Sequence, residues 1–363
     1  MAARKEILVV GAGIIGASIG WHLARAGARV TVIAAGREGG VATPTSFAWL
    51  NASAGNPEPY FRLRIRSMRE WTRLAAEVPG IPLAWTGGLC WDLPAAEMER
   101  YAAEHGGWGY GIRVVGRDEA ARIEPGLAKP PARAVHVAEE GMVEPVAATL
   151  ALLADAVRRG AVVRTGLNIN AVERTPDGSA GGRPAIVANG ERIAADAIVI
   201  AAGAGTPALA ATAGIAVPLT TPPGLIVHSR PLAERLLNGL VLSDGPHVRQ
   251  TAEGRIIAGG DFGGSDPGEH ADETAAALFG AVKAMLRRGD ALEMDFHTIG
   301  WRPTPADGFP VIGPAGTGAP GIYLAVMHSG ITLAPAVGLF AAEEILTGRR
   351  DPLLAPYGIG RFD

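Results

Sequence analysis

A strand that runs straight into a glycine loop constrains this chain more than any other feature. Ile7-Leu8-Val9-Val10 is followed by Gly11-Ala12-Gly13-Ile14-Ile15-Gly16 and an apolar helical stretch over residues 14–26, closed by Gly27. A bare GxGxxG is a weak signal, but here it follows a predicted strand and opens a predicted helix. Gly11 permits the tight turn, Gly13 lets a pyrophosphate approach the backbone, and Gly16 lets the helix pack closely on the strand. The helix N-terminus then offers unpaired N–H groups and a partial positive charge to phosphate. With a second strand at 29–33 this makes a strand–helix–strand unit of about 30 residues, the opening of a doubly wound, Rossmann-like α/β fold.

Two further apolar runs, 197–202 and 321–326, read as strands buried on both faces. Helices are predicted over 57–78, 146–159, 204–213 and 332–347, most of them stopped by glycine or proline. The middle of the chain differs. Segments 224–230, 247–251 and 255–261 alternate or run apolar between turn residues, as in an antiparallel sheet, with covering helices at 95–104 and 274–288. Pro218 and Pro222-Pro223 mark a crossing out of the first domain, and Trp301-Arg302-Pro303 marks the return. The expected organisation is a discontinuous nucleotide-binding domain (1–80, 141–220 and 300–363) and a second, α+β substrate domain on an antiparallel sheet (81–140 and 221–299).

Composition excludes several classes. With 33 Lys+Arg against 36 Asp+Glu there is no basic footprint for nucleic acid. A single cysteine, Cys90, rules out an internal disulfide and any Cys-based metal site, and no metal-ligand motif occurs. No apolar run approaches the roughly 20 residues of a membrane span. The start, Met1-Ala2-Ala3-Arg4-Lys5-Glu6, has no signal-peptide character, so a cytoplasmic location is expected. The 50 glycines, about twice the average share, have no collagen period and must serve turns and close backbone approaches.

One element of the dinucleotide fingerprint is missing. An acidic residue that binds a ribose hydroxyl is expected at the end of the second strand, and Ala34 stands there. A small residue followed by Arg37 suits a 2′-phosphate, which keeps an NADP-dependent reductase open as an alternative. Glu38 or water could otherwise supply the ribose hydrogen bonds.

Four separated segments resemble the FAD-dependent D-amino-acid oxidase superfamily, in particular its glycine oxidase and sarcosine oxidase branch. The first is the glycine loop. The second is Gly39-Gly40-Val41-Ala42-Thr43 leading to Ser46-Phe47-Ala48-Trp49-Leu50-Asn51-Ala52, similar to the segment that passes beside the isoalloxazine. The third is Ala197-Ile198-Val199-Ile200-Ala201-Ala202-Gly203-Ala204-Gly205. The fourth is Trp301-Arg302-Pro303-Thr304-Pro305-Ala306-Asp307-Gly308-Phe309-Pro310-Val311-Ile312-Gly313, followed by His328-Ser329-Gly330-Ile331-Thr332-Leu333-Ala334-Pro335. Ala34 departs from the pattern, since family members normally carry Glu there.

The resemblance implies FAD, held noncovalently, because Cys90 is far in sequence from Trp301, where sarcosine oxidases carry their flavin-linking cysteine. The cofactor-binding residues it implies are Gly11, Gly13, Ile14, Ile15, Gly16 and Arg37 around the glycine loop, and Thr43, Ser46, Ala48, Trp49 and Leu50 in the second segment. Val172, Ala202, Gly203, Arg302, Gly330, Ile331 and Thr332 complete the set. N–H groups of the helix opened by Gly330-Ile331-Thr332 would face the flavin N1–C2=O edge, where reduced flavin gathers negative charge. Arg302 matches the position that binds the substrate carboxylate, a task suited to a guanidinium fork. His328 falls beside the flavin, where it could bind substrate, stabilise reduced flavin or cap a helix. Trp49 and Trp301 are candidates to wall the pocket, although large aromatics more often fill cores. His228 and His247 read as ordinary strand histidines, and Cys90 as a small buried apolar residue.

The expected activity is FAD-dependent oxidation of the C–N bond of a small carboxylated amine by hydride transfer to flavin N5, giving an imine that hydrolyses. Glycine, sarcosine, N-carboxymethyl amines such as iminodiacetate, and D-amino acids are admissible, a secondary or N-substituted glycine being favoured. O2, reduced to H2O2, is the simplest acceptor; another acceptor, a partner subunit or a homo-oligomer remains open. The second alternative is a catalytically silent nucleotide-binding subunit of an oxidase complex.

Overall fold

The computed structural model describes residues 4–53, 55–174, 182–260 and 266–362. Met1–Ala3 and Asp261, the last residue of one predicted strand, lie outside them. In chain order the elements that build the first layer system are β1 (Glu6–Val10), α1 (Ile14–Arg25), β2 (Arg29–Ile33), α2 (Glu58–Glu77), α3 (Pro145–Arg158), β3 (Val162–Arg164), β4 (Ala197–Ile200), β5 (Val311–Pro314), β6 (Ile322–Val326) and α4 (Gly330–Thr347). They form a six-stranded sheet of order β5-β6-β4-β1-β2-β3. All its pairings are parallel except β5 with β6.

Strand β1 shows why these segments read as unbroken apolar runs. Ile7 and Val9 face a core shared with α1, α2, α3 and α4, whereas Leu8 and Val10 face a second core on the opposite side. That second core is covered by an antiparallel meander, Ile169–Glu173, Ala185–Ala188 and Glu191–Ala194. The predicted strand at 197–202 stops at Ile200, and Ala201-Ala202 begin the turn. The helix expected over 204–213 is a 3₁₀ turn, Gly203–Gly205, followed by the short helix Thr206–Ala211. Because the chain leaves β1, β4 and β6 at their carboxyl ends, three loops converge on one edge of the sheet, where strand order reverses.

The other large sheet has eight strands, ordered Met294–Trp301, Pro223–Ser229, Ile256–Gly259, His247–Gln250, Leu240–Leu242, Gly88–Cys90, Arg133–Val137 and Ile112–Gly116. It is antiparallel but for one pair, Leu240–Leu242 with Gly88–Cys90, which lie far apart in sequence. The expected antiparallel sheet is therefore mixed. A two-stranded ribbon, Leu219–Thr220 with Thr304–Pro305, ties together the two proline-marked crossings.

Helix α4 is long and apolar enough to cross a membrane, 18 residues with a mean hydropathy of 1.3. Here it packs between α1 and α2, and most of its first three turns are buried. Its sequence contains Pro335, which cannot donate to the carbonyl four residues back, that of Ile331. Trp71 of α2 fills that gap, its indole N–H donating to Ile331 O at 2.9 Å. Ser67 of α2 accepts the Ala336 N–H at 3.2 Å, and Ser18 of α1 donates to Ala334 O at 2.7 Å. The α1–α4 contact is close enough that a Cβ on Gly338 would lie 2.3 Å from Ser18 Oγ and 2.6 Å from His22 Nδ1. Burial lowers the pKa of His22 to about 4, so its ring is neutral here. Nδ1 lies 2.8 Å from Ser18 O and Nε2 3.1 Å from an Arg73 guanidinium nitrogen, which suits a neutral ring protonated on Nδ1.

Trp71→Phe removes the donor and part of a fully buried ring, leaving the Ile331 carbonyl without a partner beside a small cavity. We expect a loss of about 2–4 kcal/mol, measured by denaturant unfolding with the two-state slope unchanged.

Candidate active site

The three converging loops and the end of the eight-stranded sheet enclose a cavity of about 1110 Å³. At one side the glycine loop presents bare backbone. A Cβ on Gly11, whose φ is +121°, would sit 2.2 Å from Ala201 O, and one on Gly16 would sit 1.9 Å from Gly11 O. Gly13 instead has only Thr43 Oγ1 at 3.5 Å and Gly40 Cα at 3.9 Å near its missing Cβ, so its open side faces the cavity. The loop over residues 39–43 closes onto this turn: Gly39 N–H donates to Ala12 O at 3.0 Å and Ile14 N–H to Thr43 Oγ1 at 3.3 Å. Backbone with no side chains, at the start of a helix, is what a pyrophosphate requires.

A second helix N-terminus reaches the same cavity. Gly330, Ile331 and Thr332, the first turn of α4, line it, and their N–H groups have no partner within the helix. Ser329 before them is left-handed, φ +56°, as is Ala48, φ +59°. The stretch 46–52 carrying Ala48 is fixed by its own polar groups. Ala48 N–H donates to Ser46 Oγ at 3.1 Å, Thr332 Oγ1 donates to Trp49 O at 3.0 Å, and Arg249 Nε donates to Phe47 O at 2.6 Å. A backbone strained at two points facing one cavity, and held there by bonds, is characteristic of a binding site.

Arg302 lies against the strand Pro223–Ser229. Its Nη2 donates to Pro223 O, and a Cβ on Gly224 would come within 2.8 Å of the same nitrogen, so glycine is needed beside the guanidinium. His328 lines the cavity with Nδ1 3.0 Å from Ser329 Oγ. Burial first, then the charges of Arg64 and Arg302, lower its pKa to about 4, which makes it an uncharged hydrogen-bonding group at neutral pH. The cavity wall includes Arg37, Arg64 and Arg302 and, among the described residues, no Asp or Glu.

Of the residues singled out from sequence, Gly11, Gly13, Ile14, Ile15, Arg37 and Thr43 line one end of the cavity. Ser46, Ala48, Trp49, Ala202 and Gly203 line its middle, joined by Arg302, His328, Gly330, Ile331 and Thr332. Trp301 also lines it and is 45% exposed. Gly16 lies behind the loop. Leu50 is packed in the core, and Val172 is likewise buried with its N–H and C=O both bonded to the Thr212 hydroxyl. His228, stacked on Phe296, and His247, paired with Asp92, do not line the cavity, nor does Cys90, whose thiol donates to Asp92. Ala34 lines it, but its N–H goes to Arg164 O and its C=O accepts from Leu167 N–H; Glu38 is exposed and outside the lining.

Sequence reasoning missed Arg64, Asn51 and Tyr60 in the wall, and Glu140 behind it. Glu140 Oε2 accepts from the Trp49 indole N–H at 2.8 Å and Oε1 from the Tyr110 hydroxyl at 2.7 Å; Tyr110 Oη in turn accepts the Ala52 N–H at 3.1 Å. Burial raises the Glu140 pKa to about 7 against the pull of Tyr110, Trp49 and Arg64.

The cavity fits an elongated dinucleotide ending in a ring system that gains negative charge: one helix start and a glycine cradle for the pyrophosphate, a second helix start for the ring, and cationic walls with no acid among the described residues. Comparisons with known proteins agree. Residues 6–344 match the family model DAO, described as FAD dependent oxidoreductase. The chain is 27% identical over 379 residues to an opine oxidase subunit of Rhizobium meliloti, covering 99% of this chain and 98% of that one. It is 26% identical over 381 residues to glycine oxidase of Geobacillus kaustophilus, covering 99% and 98%. A crystal structure of glycine oxidase from Geobacillus kaustophilus superposes with a TM-score of 0.85 at 25% identity, over 98% of each chain.

Glu140 supplies a test of this architecture. Its folded pKa of about 7 lies above its unfolded value, so its contribution to stability is complete at low pH and is lost as pH rises through 7. The loss is on the order of 3 kcal/mol. The melting temperature of Glu140→Gln relative to the parent should therefore be higher at pH 8 than at pH 5, whatever the substitution does to absolute stability.

Proposed function

The chain belongs to the DAO family of FAD-dependent oxidoreductases, and on that premise we propose that it oxidises the C–N bond of a small carboxylated amine. Membership puts FAD in place of the NADP considered for Ala34 and Arg37. The observation that carries the reading is the cavity wall: two helix N-termini and three arginines converge there with no carboxylate among the described residues. The names of the relatives, a glycine oxidase and a subunit of an opine oxidase, support the same substrate chemistry.

The residues at the glycine loop would hold the pyrophosphate, and the first turn of α4 would face the flavin edge that becomes anionic. Bound FAD supplies a two-electron acceptor for hydride. Arg302 holds the substrate carboxylate, its orientation fixed by the Pro223 carbonyl and by the space at Gly224. Neutral His328 adds no charge that would compete with Arg302 for the carboxylate. Trp301 and Trp49 narrow the space around the amine, and Trp49 is held from behind by Glu140. The net change removes two electrons and two protons from the amine; water adds to the resulting C=N bond, which splits into a carbonyl compound and an amine or ammonia. The acceptor, O2 in the simplest case, leaves as H2O2. Cys90 lies away from the cavity, in keeping with noncovalent FAD.

The purified protein should show flavin bands near about 375 and 450 nm. Glycine, sarcosine, iminodiacetate or a D-amino acid should bleach them anaerobically. Flavin that none of these reduces would instead favour a nucleotide-binding subunit without turnover. Arg302→Ala should raise KM for carboxylated amines roughly 10- to 100-fold, the worth of a bidentate charge-assisted pair; an unchanged KM removes Arg302 from the substrate site.

A further inference from the structure

Helix α2 carries five arginines, and four of them behave as surface residues. Arg62 pairs with Glu58, Arg66 and Arg73 share Glu70, Arg73 also meets Glu77, and Arg69 is exposed. Arg64 differs. It is only 4% exposed, and it lines the same cavity as Arg302. Its guanidinium donates to Asn51 O at 2.8 Å, to Asn51 Oδ1 at 2.5 Å and to Tyr60 Oη at 3.3 Å. All three acceptors are neutral, and no Asp or Glu among the described residues forms an ion pair with it.

A buried guanidinium without a counter-ion is costly, and such charges are ordinarily matched by an anion. Glu140 feels Arg64 through space, but its oxygens are taken by Trp49 and Tyr110. The three bonds to Asn51 and Tyr60 hold the guanidinium rigidly, which preorganises its remaining N–H groups for an incoming acceptor. Arg64, Arg302 and His328 line the same cavity, and the charges of both arginines help to lower the His328 pKa.

We propose that Arg64 binds a second carboxylate, so that the substrate is an amine bearing two carboxylates, one held by Arg302 and the other by Arg64. This narrows the amine-oxidation reading and rests on it for the reaction, but not for the binding.

The test therefore uses a ligand that cannot be oxidised at nitrogen. Glutarate has the two carboxylates of iminodiacetate with CH2 in place of NH, and butyrate lacks one of them. Calorimetric titration of the FAD-loaded protein should show glutarate binding at least about ten-fold tighter than butyrate. In Arg64→Met that ratio should fall to about one, while Arg64→Lys, which keeps the charge without the fork, should give an intermediate value. A ratio near one in the parent protein overturns the proposal, as does a ratio unchanged in Arg64→Met. If Arg64→Met fails to retain FAD, the parent ratio and Arg64→Lys decide. Glutarate preference without oxidation of iminodiacetate or aspartate would overturn the reaction and leave this site standing. Oxidation of sarcosine without glutarate preference would do the reverse.

Discussion

The position of α4 depends on how its proline break is repaired. A helix with Pro335 one and a half turns from its start has an orphan carbonyl and a distorted ladder where its N–H groups must be aimed. Trp71 and Ser67 from α2 and Ser18 from α1 satisfy that region from both sides. The repair also fixes direction, because three directional bonds from two helices determine where the first turn points. α1 begins at the glycine loop and α4 begins beside it, with a Cβ on Gly330 falling 3.4 Å from the Ile15 side chain, so one packed helix layer sets the spacing of the two helix starts that line the cavity. Gly338, with no room for a Cβ beside Ser18 and His22, is the steric counterpart of those bonds.

Among the described residues the cavity wall is consequently positive. Two helix starts each contribute roughly half a charge, and Arg37, Arg64 and Arg302 contribute whole ones. The nearby groups that could offset or add to this are mostly held uncharged around neutrality. His328 is driven to about 4 and so adds nothing, and Glu140 is driven to about 7 and so offsets little below that pH. Desolvation is the largest cause of both shifts, so the apolar wall that shapes the site also determines its charge. A cavity arranged this way favours anionic occupants, and the FAD of this family is one.

Much of this was legible in the sequence because the relevant signals are local. The glycine loop, the parallel strands and the helix starts follow from short runs, and the four family-like segments lie on loops that converge at the sheet edge. The meander was overlooked although Asn189-Gly190, with φ of +52° and +78°, is a strong two-residue hairpin signal between Ala185–Ala188 and Glu191–Ala194. The parallel pair in the second sheet joins strands some 150 residues apart in sequence, and no local pattern encodes that pairing. Arg64 was hidden among neighbours of the same type. Its clue was phase rather than identity: Tyr60, Ser67, Trp71 and Leu74 form the buried stripe of α2, and residue 64 falls on it. An arginine at an apolar phase should be asked what anion it meets. Glu140 gave no comparable sign, since Ala-Glu-Glu-Gly reads as a turn and only the fold brings it behind Trp49.

Ala34 shows where the family pattern and the physical requirement separate. Both its backbone groups are engaged, with Arg164 and with Leu167, so the backbone just past the second strand is satisfied without a polar side chain at 34. An acid at 34 would introduce a negative charge into a wall that has no Asp or Glu among the described residues. Hydroxyl groups of a ribose need acceptors, but those acceptors need not be charged: Asn170, whose amide is a neutral acceptor, is also on the wall. Exposed Arg37 lies there too. A small neutral residue in place of an acid thus adds no negative charge beside Arg37 on the described part of the wall.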